Sequence, residues 1–256
     1  MKSSMTSKLR FLIALIPLIV FGGILEALVQ SGVVPLYILP SPSSVFVSLA
    51  TDIQEFVSGF KSTAIGATLG LALSFGIGTT TAMALSLSET LRRAFLPYAT
   101  FFQTVPIIAL APVLVIWFGF GRPTVVASAF IVSVFPIIAN SMLGLQSADP
   151  ALRDLFRIHG ASKMKTLWKL QLPAALPAVF GGLRIASGLA VIGAVVGEFI
   201  AGGGLGEVVD AARTQQRLDK VFAAVLLSSL LGLILVVMTD FVSRLMLRSW
   251  YVVKDE

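Results

Sequence analysis

Cysteine is absent from this 256-residue chain, which excludes disulfides, thiolate nucleophiles and cysteine metal ligands. Histidine occurs once, at His159, with no cluster of histidine, cysteine or carboxylate around it, so no metal site is expected. Charge is nearly as scarce: Asp, Glu, Lys and Arg make up 12% of the sequence, about half the roughly 25% of an ordinary soluble domain. A phosphate-binding G-x-x-x-x-G-K-[ST] run is also missing; the glycine cluster at 202–206 has no lysine after it, so the chain carries no ATP site of its own. No nucleophile, base and orienting group occur together in a way that argues for an enzyme.

What is there is apolar. Hydrophobic residues form 56% of the chain and the mean hydropathy is +0.93, which makes this an integral membrane protein with room for five to seven spans of about 20 residues. The net charge of +6 does not indicate a nucleic-acid partner, because the basic residues stand beside apolar stretches, where lipid-facing topology expects them.

Six apolar stretches are predicted as helices, since bare backbone cannot stay unpaired in hydrocarbon: about 11–31, 63–88, 94–118, 123–145, 175–200 and 221–246. The first resembles a signal peptide but lacks a small-x-small cleavage site, so it reads as an uncleaved span. Of the nineteen Lys and Arg, thirteen fall in the termini and in the 89–93 and 146–177 connections, against five in the alternate loops. That asymmetry predicts that both termini and the 146–177 segment are cytoplasmic.

Two connections have structure of their own. After the first stretch, Ser41 can cap a helix starting at Pro42, with Val45, Leu49, Ile53 and Phe56 at helical spacing, as in a short amphipathic helix along the outer interface. The second is a polar, basic island between apolar runs. Asp149 followed by Pro150 starts a helix there, and Gly160 suits the left-handed position that ends one. Ser162 can cap a second helix that Pro173 is expected to stop, so residues 149–173 form a helical hairpin. Leu152, Leu155 and Phe156 make an apolar stripe on the first helix, and Met164, Leu167 and Trp168 repeat the spacing on the second. The stripes can pack on each other or on the spans; a docking surface for a cytoplasmic partner explains why so economical a chain builds a hairpin here.

The run from Asp154 to Ser162, followed by Leu172-Pro173, resembles the E-A-A-x-x-x-G signature and trailing L-P of permease subunits of type I binding-protein-dependent ABC importers. Gly160, Ala161, Ser162, Leu172 and Pro173 match; Asp154 stands for the acid, and Leu155 and Phe156 replace the two alanines. The segments "ILPSPSSV", "TVPIIALAPVLVIWFGFG" and "GLRIASGLAVIGAVVGEFIAGGGLG" extend the resemblance toward the branch serving nitrate, sulfonate, taurine and thiamine-precursor-like solutes. The resemblance implies an all-α integral membrane fold, with six transmembrane helices and a cytoplasmic coupling hairpin between spans 4 and 5. It implies one transmembrane domain over 1–256, with its core at about 60–246, in a bacterial inner membrane.

The implied partners are two ATPase subunits that bind ATP and magnesium, an extracytoplasmic binding protein, and a second permease copy in a homodimer. No cofactor is implied on this chain. Coupling to the ATPase is assigned by the resemblance to Asp154, Leu155, Phe156, Arg157, Gly160, Ala161, Ser162, Leu172 and Pro173. ATP-driven closure of the ATPases then rocks the two permeases between inward-open and outward-open states. The glycine cluster at 202–206 reads as a flexible outer turn, which in the family faces the binding protein.

Polar groups inside spans are costly in lipid and so point to a solute route; Gln103, Asn140 and Glu198 are the candidates, with Glu198 near an outer span end, where it can reach the interface. Arg184 is expected to snorkel to the cytoplasmic side, and Asp240 and Arg244 to neutralise each other at i, i+4. Pro106, Pro112 and Pro136 remove hydrogen bonds inside the third and fourth stretches, as kinks or as a gate. Gly182, Ala186, Ala190 and Ala194 form a small-residue face, with Gly193 and Gly197 beside it; Gly66 and Gly70 repeat the spacing in the second stretch. The expected translocation path therefore comprises Gln103, Pro106, Asn140, Gly193, Gly197 and Glu198. A secondary transporter or channel of small solutes is the rival reading, but no internal repeat and no mid-span acid supports it.

Overall fold

The structure, a computed structural model, describes residues 16–17, 19–35 and 38–248, and no strand occurs among them. Both chain ends, and with them part of the first predicted span, lie outside the described residues. The helices are α1 (Ile19–Gln30), α2 (Pro42–Thr51), α3 (Ile53–Ser86), α4 (Glu89–Thr104), α5 (Ile107–Phe118), α6 (Arg122–Gln146), α7 (Pro150–Ile158), α8 (Lys163–Ala201), α9 (Gly204–Thr214) and α10 (Leu218–Arg248). Four of them, α3, α6, α8 and α10, are long and apolar enough to cross a membrane. At 25 residues α6 is about 37 Å long, against a hydrocarbon core of about 30 Å.

Two predicted boundaries are corrected. The stretch at 94–118 is two helices, because Pro106 has no N–H to donate and drives Val105 into extended backbone (φ −69°, ψ 121°). Pro106 therefore caps α5 instead of kinking a longer helix, while Pro112 and Pro136 are carried inside α5 and α6 without ending them. Pro173 does not stop the second hairpin helix either. Residues Leu167–Gln171 widen into a π-turn, in which the Leu172 N–H reaches the Leu167 carbonyl. A wider turn relieves the proline ring's clash with the preceding turn, so one helix runs from Lys163 to Ala201.

The chain divides into two compact units, residues 58–207 with 227–256, and residues 1–57 with 208–226. In the first unit, α6 packs extensively on α8. Ala186, Ala190 and Ala194 are fully buried, as the small-residue face requires. A Cβ on Gly193 would come within 2.7 Å of the Ser128 carbonyl oxygen, one on Gly197 within 3.0 Å of the Val125 Cα, and one on Gly182 within 3.0 Å of the Pro136 carbonyl oxygen. On α3, Gly70 meets Ala129 and Gly78 meets Ile137 in the same way. Lipid tails are as apolar as leucine, so a seam of this kind is held by close van der Waals packing more than by escape from water. Two hydroxyl pairs, Ser74 with Ser133 and Ser187 with Thr239, each at 2.7 Å, add interhelical bonds worth about 0.6 kcal/mol apiece.

Asp240 pairs with Arg184 on α8, at 3.4 Å from the guanidinium, and not with Arg244 as its i, i+4 spacing predicts. The Ser187–Thr239 contact brings α8 and α10 side by side at this level, and a cross-helix partner removes the need for Arg184 to reach away.

In the second unit Ser41 caps α2 as predicted, accepting from the Ser44 N–H. The expected stripe divides: Val45 and Phe56 are buried, but α2 ends at Thr51 and Ile53 is half exposed. Asp52 turns the chain between α2 and α3, and its carboxylate takes Arg217 at 3.0 Å and Lys220 at 3.6 Å.

Candidate functional site

The hairpin is built by local chemistry at each of its ends. Asp149 Oδ1 accepts from the Ala151 N–H at 2.8 Å, and Pro150 fills the first helical position, where no donor is needed. At the other end Gly160 adopts φ +66°, the left-handed conformation that glycine takes without strain. The Gly160 N–H then bonds the Arg157 carbonyl and the Ala161 N–H bonds the Phe156 carbonyl, each at 3.0 Å. This reciprocal pair closes α7 as a Schellman motif. Ser162 opens α8, its hydroxyl accepting from the Lys165 N–H at 3.2 Å.

α7 has no buried residue. Leu152, Leu155 and Ile158 are 44%, 48% and 79% exposed, so its apolar residues cover no core. The second stripe splits, with Leu167 buried at 1% and Met164 and Trp168 each more than half exposed. Leu155, Phe156, His159 and Ala161 line a groove of about 250 Å³ whose rim is Lys165 and Lys169. Asp154 and Arg157 pair at 3.1 Å on the exposed side. Arg153 donates to the Leu145 carbonyl at 2.9 Å and Lys163 to the Leu87 carbonyl at 3.4 Å, which ties the hairpin to the ends of α6 and α3. Leu172 and Pro173 lie past the π-turn, inside α8, and are partly buried.

The six residues expected along a solute path do not gather at one place. Gln103 and Asn140 share a cavity of about 520 Å³ at the α4–α5 break, walled by α6 and by Leu189 of α8. Pro106 makes that break, and its neighbours Val105 and Ile107 line the cavity. Gly193 and Gly197 are elsewhere, packed on α6. Glu198 corrects its expectation: it is 1% exposed and reaches no interface. Thr63 donates to Glu198 Oε2 at 2.8 Å, and the Gly206 N–H donates to the same oxygen at 3.0 Å. Thr63 in turn accepts from the Leu205 N–H at 2.9 Å.

The glycines explain why this carboxylate fits. Gly202, Gly203 and Gly204 all have positive φ, and a Cβ on Gly204 or Gly206 would overlap Glu198 itself. The predicted flexible turn is thus a built elbow, after which α9 begins.

Three residues of these sites were not singled out in the sequence. Phe102 and Phe135 flank Gln103 and Pro136, and their rings stack in parallel with centroids 6.3 Å apart. Thr63 begins the second apolar stretch, where a single hydroxyl carries no signal of its own.

Residues 74–248 match the family model described as binding-protein-dependent transport system inner membrane component. A "probable ABC transporter permease protein" of Haemophilus influenzae is 36% identical over 215 residues, covering 82% of this chain and 88% of that protein. A formylaminopyrimidine transport permease of Halalkalibacterium halodurans is 38% identical over 201 residues, covering 77% and 80%. Among solved structures, an inward-facing form of the MetNI methionine ABC transporter aligns with TM-score 0.66 and 19% identity, over 78% of this chain and 98% of that one; the likeness is one of fold.

Proposed function

This chain belongs to the family of binding-protein-dependent transport system inner membrane components, and from that premise we propose that it is one of two identical permease subunits lining the path of an ATP-driven importer. It is a multi-pass protein of the inner membrane, and a transport subunit, not a catalytic one. In the proposed assembly two separate ATPases hold ATP and magnesium, and an extracytoplasmic binding protein delivers the solute. Six spans with both termini cytoplasmic would put the 149–173 hairpin on the ATPase side. The single observation that carries this reading is the hairpin itself: capped at Asp149, closed at Gly160, and exposing Leu152, Leu155 and Ile158 with no core beneath them.

A helix with an uncovered apolar face needs a receiving groove, and helix-in-groove docking supplies one. Leu155 and Phe156 require a roomier cleft than two alanines would, and Lys165 and Lys169 favour an acidic rim on it. Relatives named for formylaminopyrimidine, aliphatic sulfonates and nitrate support a small polar molecule as the solute.

The test is reconstitution of the chain with its ATPase and binding protein. Phe156→Asp and Gly160→Val are expected to abolish solute-stimulated ATP hydrolysis and uptake while membrane insertion and assembly of the spans persist. Wild-type coupling in both variants, or equal affinity of the ATPase for a hairpin-deleted chain, would remove the docking role.

A further inference from the structure

The cavity at the α4–α5 break has a chemistry that distinguishes among those solutes. We infer that it is a solute subsite that takes an uncharged, planar nitrogen heterocycle of aminopyrimidine size; this rests on the import reading above and narrows it. At about 520 Å³ the cavity lies in the range of small-molecule sites.

No Asp, Glu, Lys, Arg or His lines it. A sulfonate or nitrate entering it would give up its hydration with no counter-charge, a large cost in an apolar site. The first turn of α5 opens on this wall at Ile107 and has no side-chain cap. It adds about half a positive charge, enough to orient an acceptor atom but not to replace a cation.

The polar groups present are two amides. Asn140 Nδ2 donates to the Pro136 carbonyl at 2.8 Å, a bond that holds the side chain in place. Its amide oxygen and second N–H have no partner among the described residues, and each amide can both donate and accept. A ring nitrogen beside an exocyclic amine presents the complementary acceptor and donor in one plane.

The aromatic walls fit the same shape. Phe102 and Phe135 are nearly parallel, 6° between planes and 6.3 Å between centroids. Faces so oriented suit a planar ligand lying parallel to them. Phe102 is half exposed and lies one turn before the Val105–Pro106 break. A heterocycle therefore stacks on Phe135 while Asn140 and Gln103 read its edge.

The experiment uses the full chain in lipid nanodiscs, observed by saturation-transfer NMR with 4-amino-2-methylpyrimidine as the probe, and with methanesulfonate and nitrate as competitors. Saturable pyrimidine binding is expected, unaffected by either anion. Phe135→Ala and Asn140→Leu should each weaken it about tenfold. Gln103→Leu should weaken it by a smaller factor, and its exposed position keeps the test valid if the other variants unfold. Absence of saturable binding, displacement by either anion, or equal affinity in a folded Asn140→Leu or Gln103→Leu would overturn the inference. Loss of ATPase coupling is read separately, on hairpin variants. If those uncouple while the pyrimidine fails to bind, the subsite falls and the import reading stands.

Discussion

The seam between α6 and α8 and the hairpin that joins them are neighbours in sequence, yet they are completed by different things. On the seam, Gly193 and Gly197 rest directly on α6, and three alanines are fully buried. The hairpin has its caps and its turn but no buried side chain in α7. One region satisfies its packing within the chain; the other satisfies only its backbone. A closed backbone under an open apolar face is what a segment needs if its partner is a separate protein, because the shape is ready before the contact exists.

Variants separate the two regions by what they damage. The largest expected effect is Gly193→Leu, whose branched side chain must displace the backbone of α6; a loss of about 3 kcal/mol is expected, as a lowered unfolding midpoint in detergent. An unchanged midpoint would show that the seam yields. Next comes Glu198→Ala, which leaves the Gly206 N–H without its acceptor while Thr63 keeps the Gly59 carbonyl; about 2 kcal/mol should be lost, with faster hydrogen exchange at Gly206.

On the hairpin the effects are smaller. Asp149→Ala removes the α7 cap at a cost of about 1 kcal/mol, confined to local protection of the hairpin amides. Leu155→Asp should change the unfolding midpoint by less than about 0.5 kcal/mol while weakening ATPase binding, since that side chain is half exposed and α7 buries no residue. A large destabilisation there would break the comparison by revealing an internal partner. The smallest effect is at Glu89, in the first turn of α4. Hydrogen bonds from Arg93 and then Arg92 hold its carboxyl below the ordinary carboxylate range. A depressed folded-state value contributes stability above the ordinary carboxylate value and loses it as pH falls through the folded-state value. The small midpoint difference between wild type and Glu89→Gln should therefore vanish in acid and persist at neutral pH.

Much of the architecture was legible in the residues, and for identifiable reasons. The Asp149-Pro150 start, the Gly160 turn and the Ser41 and Ser162 caps are local devices whose partners lie within five residues, so pattern alone specifies them. The small-residue face of α8 was equally plain, because only a close neighbour needs glycine and alanine at four-residue steps. Proline was misleading in both directions. Pro106 divides a helix that hydropathy joins, and Pro173 is passed by a π-turn that no propensity foretells.

The candidate site residues were legible as types and not as sets. Gln103 and Asn140 stood out as amides in apolar stretches, but only packing brings them to one cavity and adds Phe102 and Phe135 to its walls. Arg184 and Asp240 lie too far apart in sequence for spacing to pair them, while Asp240 and Arg244 sit at a spacing that permits a bond the fold does not make. Glu198 looked like a residue near water, and the Gly202–Gly206 elbow with Thr63 encloses it.

By itself the sequence determined the solvent this protein lives in, its helical character and the start and turn of its hairpin, since those depend on composition and on hydrogen bonds a few residues long. The tertiary structure alone decided which polar groups meet, which prolines matter and which apolar faces stay uncovered, because each depends on atoms brought together from distant parts of the chain.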